Sequence, residues 1–583
     1  MKEINNRINR LRAEMQKLGV NACVITDNNP HLNEYSAPAE RERTWISGFD
    51  GSNGIVVITA EKAALWTDSR YTLQAQEQLK NTEFQIFTTR NLFAEAIKWL
   101  KNEILAKNPK IALRLDVFPA ETIEKAEKDF AFVHKDLIST IWENRPVAVP
   151  QKIFLFDEKY SGKPTTEKLS EIRAEMAKEN ADALILTDME EVAWTFNFRA
   201  CDLPHSPVAA AFAVVEQNRC TLFIDSAKLT YEVKQAFENQ NIVIFDYSYI
   251  AAYLTILNKS VWLDKSKINS RLFGNISKNC KIIDKISPAA VLKSKKNAVE
   301  IAGVKNACIK DGIALARLLM WIEENTENIS ELAVSDKLHE LKSAQPLFFG
   351  ESFATIAGYA EHGAIAHYIP NEQTDKALHA ENFLLLDAGT QFFDGTTDMT
   401  RTLALGEPTA QQKTDYTLVL KGHIALAQAK FPSGTFGYQL DTLARQFLWQ
   451  NGITYGHGTG HGIGHFLNVH EYPPAIRYID EKPTALAAGM LISNEPSISR
   501  AGEYGVRLEN MVLVVESEET AFGKFLQFET ISLIPFDSRA IDFSLLTENE
   551  KRWLDNYHQT VFEKISPHLT EKERKWLKEK TRS

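Results

Sequence analysis

The alternation of apolar and polar positions shows the same helix-and-strand unit twice in the first half of the chain. Residues 7–27 (RINRLRAEMQKLGVNACVITD) and 168–188 (KLSEIRAEMAKENADALILTD) each combine an amphipathic helical pattern, a short turn and an apolar run that ends in Thr-Asp. The copies are offset by 161 residues, so that Asp27 matches Asp188. Helical periods that alternate with strand periods indicate α/β units. A unit that recurs only once predicts two related domains rather than a solenoid.

Two stretches with proline and charge interrupt this pattern, and both are typical of linkers. They are IWENRPVAVPQK (141–152) and ISPAAVLKSKKN (286–297). We therefore predict three domains, over residues 1–145, 146–292 and 293–583.

The third segment has the pattern of a mixed α/β domain. It opens with a long helix, and the predicted inner face of this helix contains Val304, Cys308, Asp311, Leu315, Leu318 and Ile322. Further helices are predicted over 413–430 and 437–451, and apolar strands over 383–387, 490–493 and 511–515. The charged, helical end of the chain, residues 546–583, predicts a solvated helical cap.

Composition and charge exclude several classes of protein. The chain has 583 residues, 44% hydrophobic and 24% charged, which is typical of a soluble protein with several domains. Its formal charge of −10 and its lack of a basic block argue against nucleic acid or an anionic membrane as the partner. The N-terminus has no apolar signal region, and five scattered cysteines without a CxxC pair indicate reduced thiols in the cytoplasm.

Acids and histidines gather beside the predicted strands and glycine turns of the third segment. The stretches that carry them are LLLDAGTQFFDGTTDMT (384–400), HGTGHGIGHFLNVHE (457–471), SNEPSIS (493–499) and VRLENMVLVV (506–515). Burying an ionised carboxylate is unfavourable by several kcal/mol unless a cation or a set of donors compensates. The set therefore predicts a metal site, although each acid alone also fits a helix cap, a turn or a solvent-facing strand position.

The charges of this set suit two divalent cations. Asp387, Asp398, Glu495 and Glu509 together carry four negative charges, and one neutral histidine completes a shell without adding charge. A carboxylate-rich shell with a single imidazole favours Mn²⁺ or Co²⁺ over a thiolate-type zinc site.

Sequence spacing alone does not bring the two aspartates together. A two-residue turn at Asp394-Gly395 predicts that Phe393 lies opposite Thr396 and that Gln391 lies opposite Asp398. Asp387 then lies four residues from the partner of Asp398, about 13 Å away. In that register the two carboxylates share a metal only if a bulge or a sharp bend intervenes.

At these residues the chain resembles the aminopeptidase P family (Xaa-Pro aminopeptidases) of the pita-bread metallopeptidases, in its three-domain cytosolic form. Besides the stretches above, the resemblance rests on WISGFDGSNG (45–54), LWTDSRYTLQ (65–74), EEVAWTFNFRACDLPHSPV (190–208) and AIAHYIP (364–370). It implies an α/β and α+β fold, with two related N-terminal creatinase-type α/β domains followed by a C-terminal pita-bread catalytic domain. One departure is Ser497, which stands where the family usually has glycine.

The resemblance also implies roles for individual residues. The motif positions that match ligands of a dinuclear site, usually manganese with cobalt or zinc as alternatives, are Asp387, Asp398, His461, Glu495 and Glu509. Glu495 also matches a general base. The positions that match substrate-binding residues are His367, His457 and His470, with Arg70 as a further candidate, and His367 and His470 are also the catalytic candidates for moving protons. Arg507 matches an arginine that orients a carboxylate, and His465 receives no role.

The implied activity is metal-dependent removal of the N-terminal residue from peptides with proline in second position, by a hydroxide between the two metals. Small peptides with penultimate proline are the expected partners, together with a second copy in a homodimer, and no nucleic acid or membrane is expected. The alternatives are a prolidase, which cleaves only Xaa-Pro dipeptides, and a non-catalytic peptide-binding protein. The duplicated N-terminal domains favour the aminopeptidase, since prolidase-type chains usually have one such domain.

Overall fold

A computed structural model describes residues 2–582 and divides them into two compact units. The first unit comprises residues 2–157 and Lys163–Ala290, and the second comprises Glu158–Gly162 and residues 291–582. Among residues 2–582, none of the helices combines the length and the apolar character needed to cross a membrane.

The first unit contains most of the first twelve helices and the first fourteen strands. The helices of this part of the chain are α1 Lys2–Leu18, α2 Glu42–Ser47, α3 Thr72–Gln78, α4 Leu92–Glu103, α5 Ala120–Ala126, α6 Glu158–Ser161, α7 Thr165–Lys178, α8 Met189–Thr195, α9 Tyr231–Asn239, α10 Ile250–Thr255, α11 Ser270–Gly274 and α12 Pro288–Ser294. Of these, α6 belongs to the second unit, and α12 is shared between the two units. The strands of the first unit are β1 Ala22–Ile25, β2 Ile55–Thr59, β3 Ala63–Thr67, β4 Phe84–Thr88, β5 Lys110–Leu113, β6 Ala131–His134, β7 Phe154–Leu155, β8 Ala183–Leu186, β9 Phe198–Arg199, β10 Ala211–Glu216, β11 Cys220–Ile224, β12 Ile242–Phe245, β13 Ser260–Leu263 and β14 Lys281–Asp284.

The two six-stranded sheets of the first unit have the same topology. Their orders are β4-β3-β2-β1-β5-β6 and β12-β11-β10-β8-β13-β14. The strand of each repeat copy, β1 or β8, pairs antiparallel with the next long strand and parallel with the fifth strand of its sheet. Both strands are fully buried because helices cover the two faces of each sheet. The shared topology of the two sheets confirms the relationship that the sequence repeat predicts.

The aspartates that end the two repeat strands are compensated locally. Arg43 donates two hydrogen bonds to Asp27 Oδ2, from Nε at 3.1 Å and Nη2 at 2.6 Å. Thr44 donates to the same carboxylate from its backbone N–H and its hydroxyl. Asp188 instead caps α8, where it accepts from the Glu190 N–H at 2.8 Å. Asp188 Oδ2 also lies 3.8 Å from Lys267 Nζ. The same sequence position therefore serves a hydrogen-bonded ion pair in one domain and a helix cap with a looser ion pair in the other.

The second unit contains the remaining helices and strands. Its further helices are α13 Ala298–Asn325, α14 Glu331–Ser343, α15 Ala410–Ala427, α16 Gly437–Trp449, α17 Glu548–Ile565 and α18 Glu571–Lys580. Its strands are β15 Phe348–Glu351, β16 Ile356–Tyr359, β17 Phe383–Ala388, β18 Thr390–Phe392, β19 Gly395–Thr396, β20 Met399–Ala404, β21 Lys430–Pro432, β22 Gly460–Gly462, β23 Glu471–Ile476, β24 Leu491–Asn494, β25 Ser497–Arg500, β26 Tyr504–Arg507, β27 Asn510–Thr520 and β28 Gly523–Thr530.

The sheets of the second unit place the strands predicted to carry acids next to one another. A three-stranded sheet has the order β16-β17-β20, and a six-stranded sheet has the order β21-β28-β27-β24-β22-β23. Helix α13 buries all six residues predicted for its inner face, so that prediction is confirmed. The helices and strands predicted for this segment are also present, with ends that differ by a few residues and with β27 extended to Thr520.

The C-terminal helices are not the solvated cap predicted from their charge. They bury one apolar face in the core of the second unit, and its residues are Leu554, Tyr557, Val561, Ile565 and Leu577. The first four recur at intervals of three and four residues, which is the amphipathic period of a helix. The high charge of this segment therefore describes only its outer face.

The hairpin that carries the two aspartates has a different register from the predicted one. Asp387 lies opposite Thr400, and Phe392 lies opposite Gly395, so the two-residue loop is Phe393-Asp394. The prediction of a turn at Asp394-Gly395 was wrong, and neither residue has the positive φ that a type I′ turn needs. The shift of two residues brings Asp398 to a diagonal position from Asp387, so no bulge is required.

Candidate metal centre

Three of the predicted ligands form a compact group in the second unit. Asp398 precedes β20, His461 lies in β22 and Glu509 precedes β27. One ligand atom from each lies within 4.8 Å of the others. His461 Nε2 lies 3.3 Å from Asp398 Oδ2 and 3.6 Å from Glu495 Oε1, so the fourth acid, Glu495, adjoins the group.

The fifth predicted ligand, Asp387, is held at the edge of this group by Arg507. The guanidinium Nη2 of Arg507 donates to Asp387 Oδ2 at 2.5 Å. The other carboxylate oxygen, Asp387 Oδ1, is buried and has no hydrogen-bond partner among residues 2–582. A buried carboxylate oxygen without a donor is strongly unfavourable, and a cation is the kind of partner that removes this penalty.

The imidazole of His461 is oriented as a metal ligand requires. His461 Nδ1 lies 2.8 Å from the Gly462 carbonyl oxygen, which can only accept, so Nδ1 carries the proton. Nε2 faces Asp398 and Glu495, so in the neutral ring its lone pair points at the acids. A hydrogen bond from one ring nitrogen to a carbonyl is the usual way in which a protein fixes the tautomer of a metal-binding histidine.

The acids of the group raise one another's pKa. Burial, followed by the charges of Asp387 and Glu495, raises the pKa of Asp398 well above its usual range. Burial, followed by the charges of Asp398 and Asp387, does the same to the pKa of Glu509. The pKa of Glu495 rises to about 8, chiefly through burial and then through Glu509. Together with the orphaned Asp387 oxygen, this repulsion fits a donor set built for multivalent cations.

Arg507 links the acids to the segment that contains His367. Its Nη1 donates to the Ala366 carbonyl at 3.2 Å, and its Nε donates to the Thr400 hydroxyl at 3.3 Å. Thr400 in turn donates to Glu509 Oε2 at 2.7 Å. Arg507 and Thr400 therefore couple two acids and the His367 segment through direct hydrogen bonds, and the supporting role of Arg507 stays a prediction.

A buried ion pair on α16 supports the glycine-rich histidine loop. Arg445 donates to the carbonyls of Tyr455 and His457, both at 2.7 Å, and pairs with Asp441 at 2.6 Å. Asp441 also accepts from the Thr459 hydroxyl at 2.6 Å. This pair was not among the predicted site residues. Its signal is a pair of opposite charges, four residues apart, on the face of α16 that otherwise buries apolar residues.

The other histidines of the sequence motifs differ in how closely their rings are held. The ring of His470 packs edge-on against that of His461, with centroids 4.4 Å apart. His457 contacts the Gly458 carbonyl through Nδ1 at 2.6 Å and the Ser497 hydroxyl through Nε2 at 2.5 Å. His367 is half-buried and directly follows Ala366. His465, which received no role, is buried and contacts the Tyr160 carbonyl.

Arg70 lies in the first unit, where it is held by two acids. Its guanidinium donates to both oxygens of Asp68 at 2.8–2.9 Å, and Nη1 lies 3.5 Å from Glu34 Oε1. The acids and histidines of the candidate metal centre all lie in the second unit. The substrate-binding role of Arg70 therefore stays a prediction.

Family models match the chain from end to end. Two models of the creatinase/prolidase N-terminal domain match residues 7–145 and 144–300. The model of metallopeptidase family M24 matches residues 302–516, and that of the C-terminal region of this peptidase family matches residues 524–583.

Known proteins resemble the chain over nearly its whole length. It is 38% identical to a probable Xaa-Pro aminopeptidase P of Coprinopsis cinerea, over 99% of this chain and 98% of that one. It is 36% identical to aminopeptidase P2 of Arabidopsis thaliana, over 97% and 86% of the two chains. The crystal structure of an X-prolyl aminopeptidase from Caenorhabditis elegans, described as a cytosolic enzyme with a di-nuclear active site, matches with a TM-score of 0.93, 30% identity and 99% coverage of both chains.

Proposed function

Because the chain belongs to the aminopeptidase P family of M24 metallopeptidases, we propose that it removes the N-terminal residue from peptides whose second residue is proline. The observation that carries this proposal is the group of three buried acids, the partly exposed Glu495 and one oriented imidazole, in which Asp387 Oδ1 has no protein donor among the described residues. The full-length similarity to aminopeptidases P supports it, as does the pair of N-terminal creatinase-type domains.

Two divalent cations are the proposed cofactors, and Mn²⁺ is the proposed metal, with Co²⁺ or Zn²⁺ as alternatives. The residues that would hold them are Asp387, Asp398, His461, Glu495 and Glu509. Oxygen-rich shells with one imidazole suit hard or borderline ions. When bound, such cations supply Lewis-acid chemistry that polarises water and the scissile carbonyl.

Glu495 is the acid best placed to accept a proton from the attacking water. Its side chain is 19% exposed, compared with 10% for Asp387 and 5% for Asp398, so it meets the solvent-facing side of the group. It also lies within 4 Å of two histidines, His461 and His457. A carboxylate that can reach a water and has neighbouring ring nitrogens has the geometry of a general base.

The leaving group sets the remaining requirement. An Xaa-Pro bond is a tertiary amide without an N–H, so an enzyme cannot hold it through a hydrogen bond from that nitrogen. As in any amide hydrolysis, the nitrogen of the leaving group has to receive a proton as the bond breaks. His367 and His470 are the proposed donors of this proton and anchors of the peptide, without a division of the two roles. His457 is held at both ring nitrogens, by Gly458 and Ser497, which suits it to orient substrate rather than to carry a proton.

The domain boundaries, the assembly and the location are also proposals. The boundaries proposed from the sequence, 1–145, 146–292 and 293–583, are supported by separate family models for the corresponding segments. A homodimer is proposed from the family resemblance alone. A cytoplasmic location is supported by the Caenorhabditis elegans relative, which is a cytosolic enzyme. We retain Arg70 as a proposed substrate-binding residue.

Product analysis by mass spectrometry tests the proposed function. The Mn²⁺-loaded protein is incubated with equimolar Xaa-Pro-Yaa-Zaa, Xaa-Ala-Yaa-Zaa and the dipeptide Xaa-Pro. Release of Xaa from the longer proline peptide, with the alanine peptide intact, is the expected result. Cleavage of the dipeptide alone would establish a prolidase instead. No cleavage by protein shown to hold metal would favour a non-catalytic peptide-binding protein.

A further inference from the structure

The register of the hairpin that carries Asp387 and Asp398 is not determined by its hydrophobic pattern. Side chains alternate between the two faces of a strand, so a slip of two residues leaves each side chain on its own face. The observed register and the one predicted from the Asp394-Gly395 turn therefore bury the same residues. The two differ in whether Asp398 lies near Asp387, so another contact has to select between them.

Asp311 on α13 makes the contact that distinguishes the two registers. It accepts from the Thr390 hydroxyl at 2.9 Å and from the Thr397 hydroxyl at 2.7 Å. These threonines lie on the two strands of the hairpin, and the Thr397 N–H donates to the Thr390 carbonyl at 2.9 Å. In the slipped register, Thr390 would lie opposite Met399 and Thr397 would move to a diagonal position, so the direct pairing of the two hydroxyls on one carboxylate would be lost.

Lys342 on α14 contacts both the same carboxylate and the backbone of the hairpin. Its ammonium lies 3.5 Å from Asp311 Oδ1 and donates to the Gly389 carbonyl at 3.1 Å. Gly389 lies between the strand pairs Ala388–Met399 and Thr390–Thr397, at the level of Asp398. A Cβ at Gly389 would collide with Ser352 and with the Thr397 carbonyl, so the chain is tightly enclosed here.

The burial of this pair makes a purely stabilising role a weak explanation. The side chains of Asp311 and Lys342 are both 0% exposed. Replacing a fully buried ion pair with apolar side chains is often neutral or stabilising, because the desolvation of the two ions offsets their attraction. In some proteins, buried polar or ionic groups fix one arrangement among several of similar stability.

We propose that Asp311 and Lys342 are positioning residues, which fix the hairpin register and thereby determine whether Asp387 and Asp398 can bind the same pair of cations. This inference rests on the metal site of the proposed function. It adds two residues that lie outside the group of ligands and act through Thr390 and Thr397.

The test measures metal affinity separately from stability. Thr390→Val/Thr397→Val removes both hydroxyls at nearly constant volume and leaves all charges in place. Asp311→Asn/Lys342→Gln removes both charges together, so that neither ion is left unpaired. Lys421→Met/Glu550→Gln, which removes an ion pair between α15 and α17, is the matched control in the same unit. Each full-length protein is stripped of metal, titrated with Mn²⁺ against a chelator and melted without metal.

The expected result is a loss of about tenfold or more in Mn²⁺ affinity for both hairpin variants, as is typical when residues that orient metal ligands are changed. The control should keep wild-type affinity, whatever its melting temperature. The visible absorption of bound Co²⁺ should also change in the hairpin variants, since it reports the coordination geometry.

Two results would overturn the inference, and they are distinguishable from each other. Wild-type affinity and an unchanged Co²⁺ spectrum in both hairpin variants, with two Mn²⁺ bound by the wild type, would refute the positioning role alone. A wild-type protein that binds no Mn²⁺ or Co²⁺ would refute the proposed metal site and this inference with it. If the charge-neutral double variant does not fold, the threonine double variant decides.

Discussion

Two aspartates at the ends of fully buried strands, Asp27 and Asp387, are stabilised in opposite ways. Measured over the whole residue, Asp27 is 8% exposed and Asp387 is 7% exposed. Both oxygens of Asp27 receive hydrogen bonds, from Arg43 and Thr44. Asp387 receives one from Arg507, while its Oδ1 has none from the described part of the chain. The first arrangement is complete within the protein, and the second leaves room for a cation.

This contrast shows which feature of a buried acid indicates a binding site. The two aspartates share the same sequence signature, an apolar strand that ends in a carboxylate. They differ in their surroundings, because Asp387 is accompanied by three further acids that raise one another's pKa. Burial alone therefore carries little information about function, whereas burial with incomplete compensation carries a great deal.

The largest effect is expected from changing one of the acids around Asp387, whose negative charges are not fully compensated within the protein. Asp398→Asn removes one of the proposed ligand charges, so we expect kcat/KM for an Xaa-Pro peptide to fall by roughly a thousandfold, or about 4 kcal/mol of transition-state stabilisation. Metal content measured by mass spectrometry should fall as well. The metal-free variant should melt at a higher temperature than the metal-free wild type, because one charge is removed from a group of like charges.

A fully loaded but inactive Asp398→Asn protein would count against ligation by this residue. It would place Asp398 among residues that act on the substrate. A lower melting temperature of the metal-free variant would contradict the view that the acids repel one another.

The second largest effect is expected at Asp27, the aspartate whose charge is fully compensated within the protein. Asp27→Asn leaves the Arg43 guanidinium, whose side chain is 1% exposed, without its counterion. Breaking a buried pair in this way destabilises a protein by about 3 kcal/mol or more. We expect a lower melting temperature, with unchanged kcat and metal content per folded molecule.

The repeat supplies the control for this prediction. Asp188 occupies the matching position but caps α8, so Asp188→Asn should cost only about 1 kcal/mol or less, because asparagine is also a good cap. Equal destabilisation by the two substitutions in urea melts would show that Asp27 does not depend on its ion pair with Arg43.

The parts of the fold that the sequence predicted are those set by local periodicity. The duplicated α/β topology follows from helical and strand patterns that recur 161 residues apart, and the acids of the metal centre stand beside apolar strands. The buried pair of Asp441 and Arg445 was missed because opposite charges four residues apart on a helix usually lie on its surface. Charge likewise concealed the buried face of α17.

The predicted hairpin register was wrong because Gly395 serves close packing against a helix rather than a turn. Asp-Gly is a strong turn signal, but Gly395 lies where α13 passes closest to the hairpin. A Cβ at this position would lie 2.8 Å from Val304 Cα. Asp394 is held by α13 as well, through Asn306 and Lys310. Contacts from a helix about 90 residues earlier in the chain therefore favour this turn, in addition to the contact of Asp311 with the two threonines, and no local pattern encodes them.

A further expected effect, which bound cations should abolish, is a pH dependence of stability in the metal-free protein. The pKa of Glu495 is about 8 in the folded chain, compared with an ordinary value of 4.5, through burial and then Glu509. The folded state thus holds this proton more tightly than the unfolded chain does. Its contribution to stability is complete below pH 4.5 and is lost as the pH rises to about 8.

Melting curves between pH 5 and 8.5, with EDTA and with Mn²⁺, would measure this effect. The metal-free protein should lose stability steadily as the pH rises, because protons leave a group of acids that repel one another. Bound cations favour the ionised acids, so the gain in melting temperature on adding Mn²⁺ should grow over the same range. Parallel curves with and without metal would mean that the acids around Asp387 are compensated within the protein, as Asp27 is, and the distinction between the two regions would be lost.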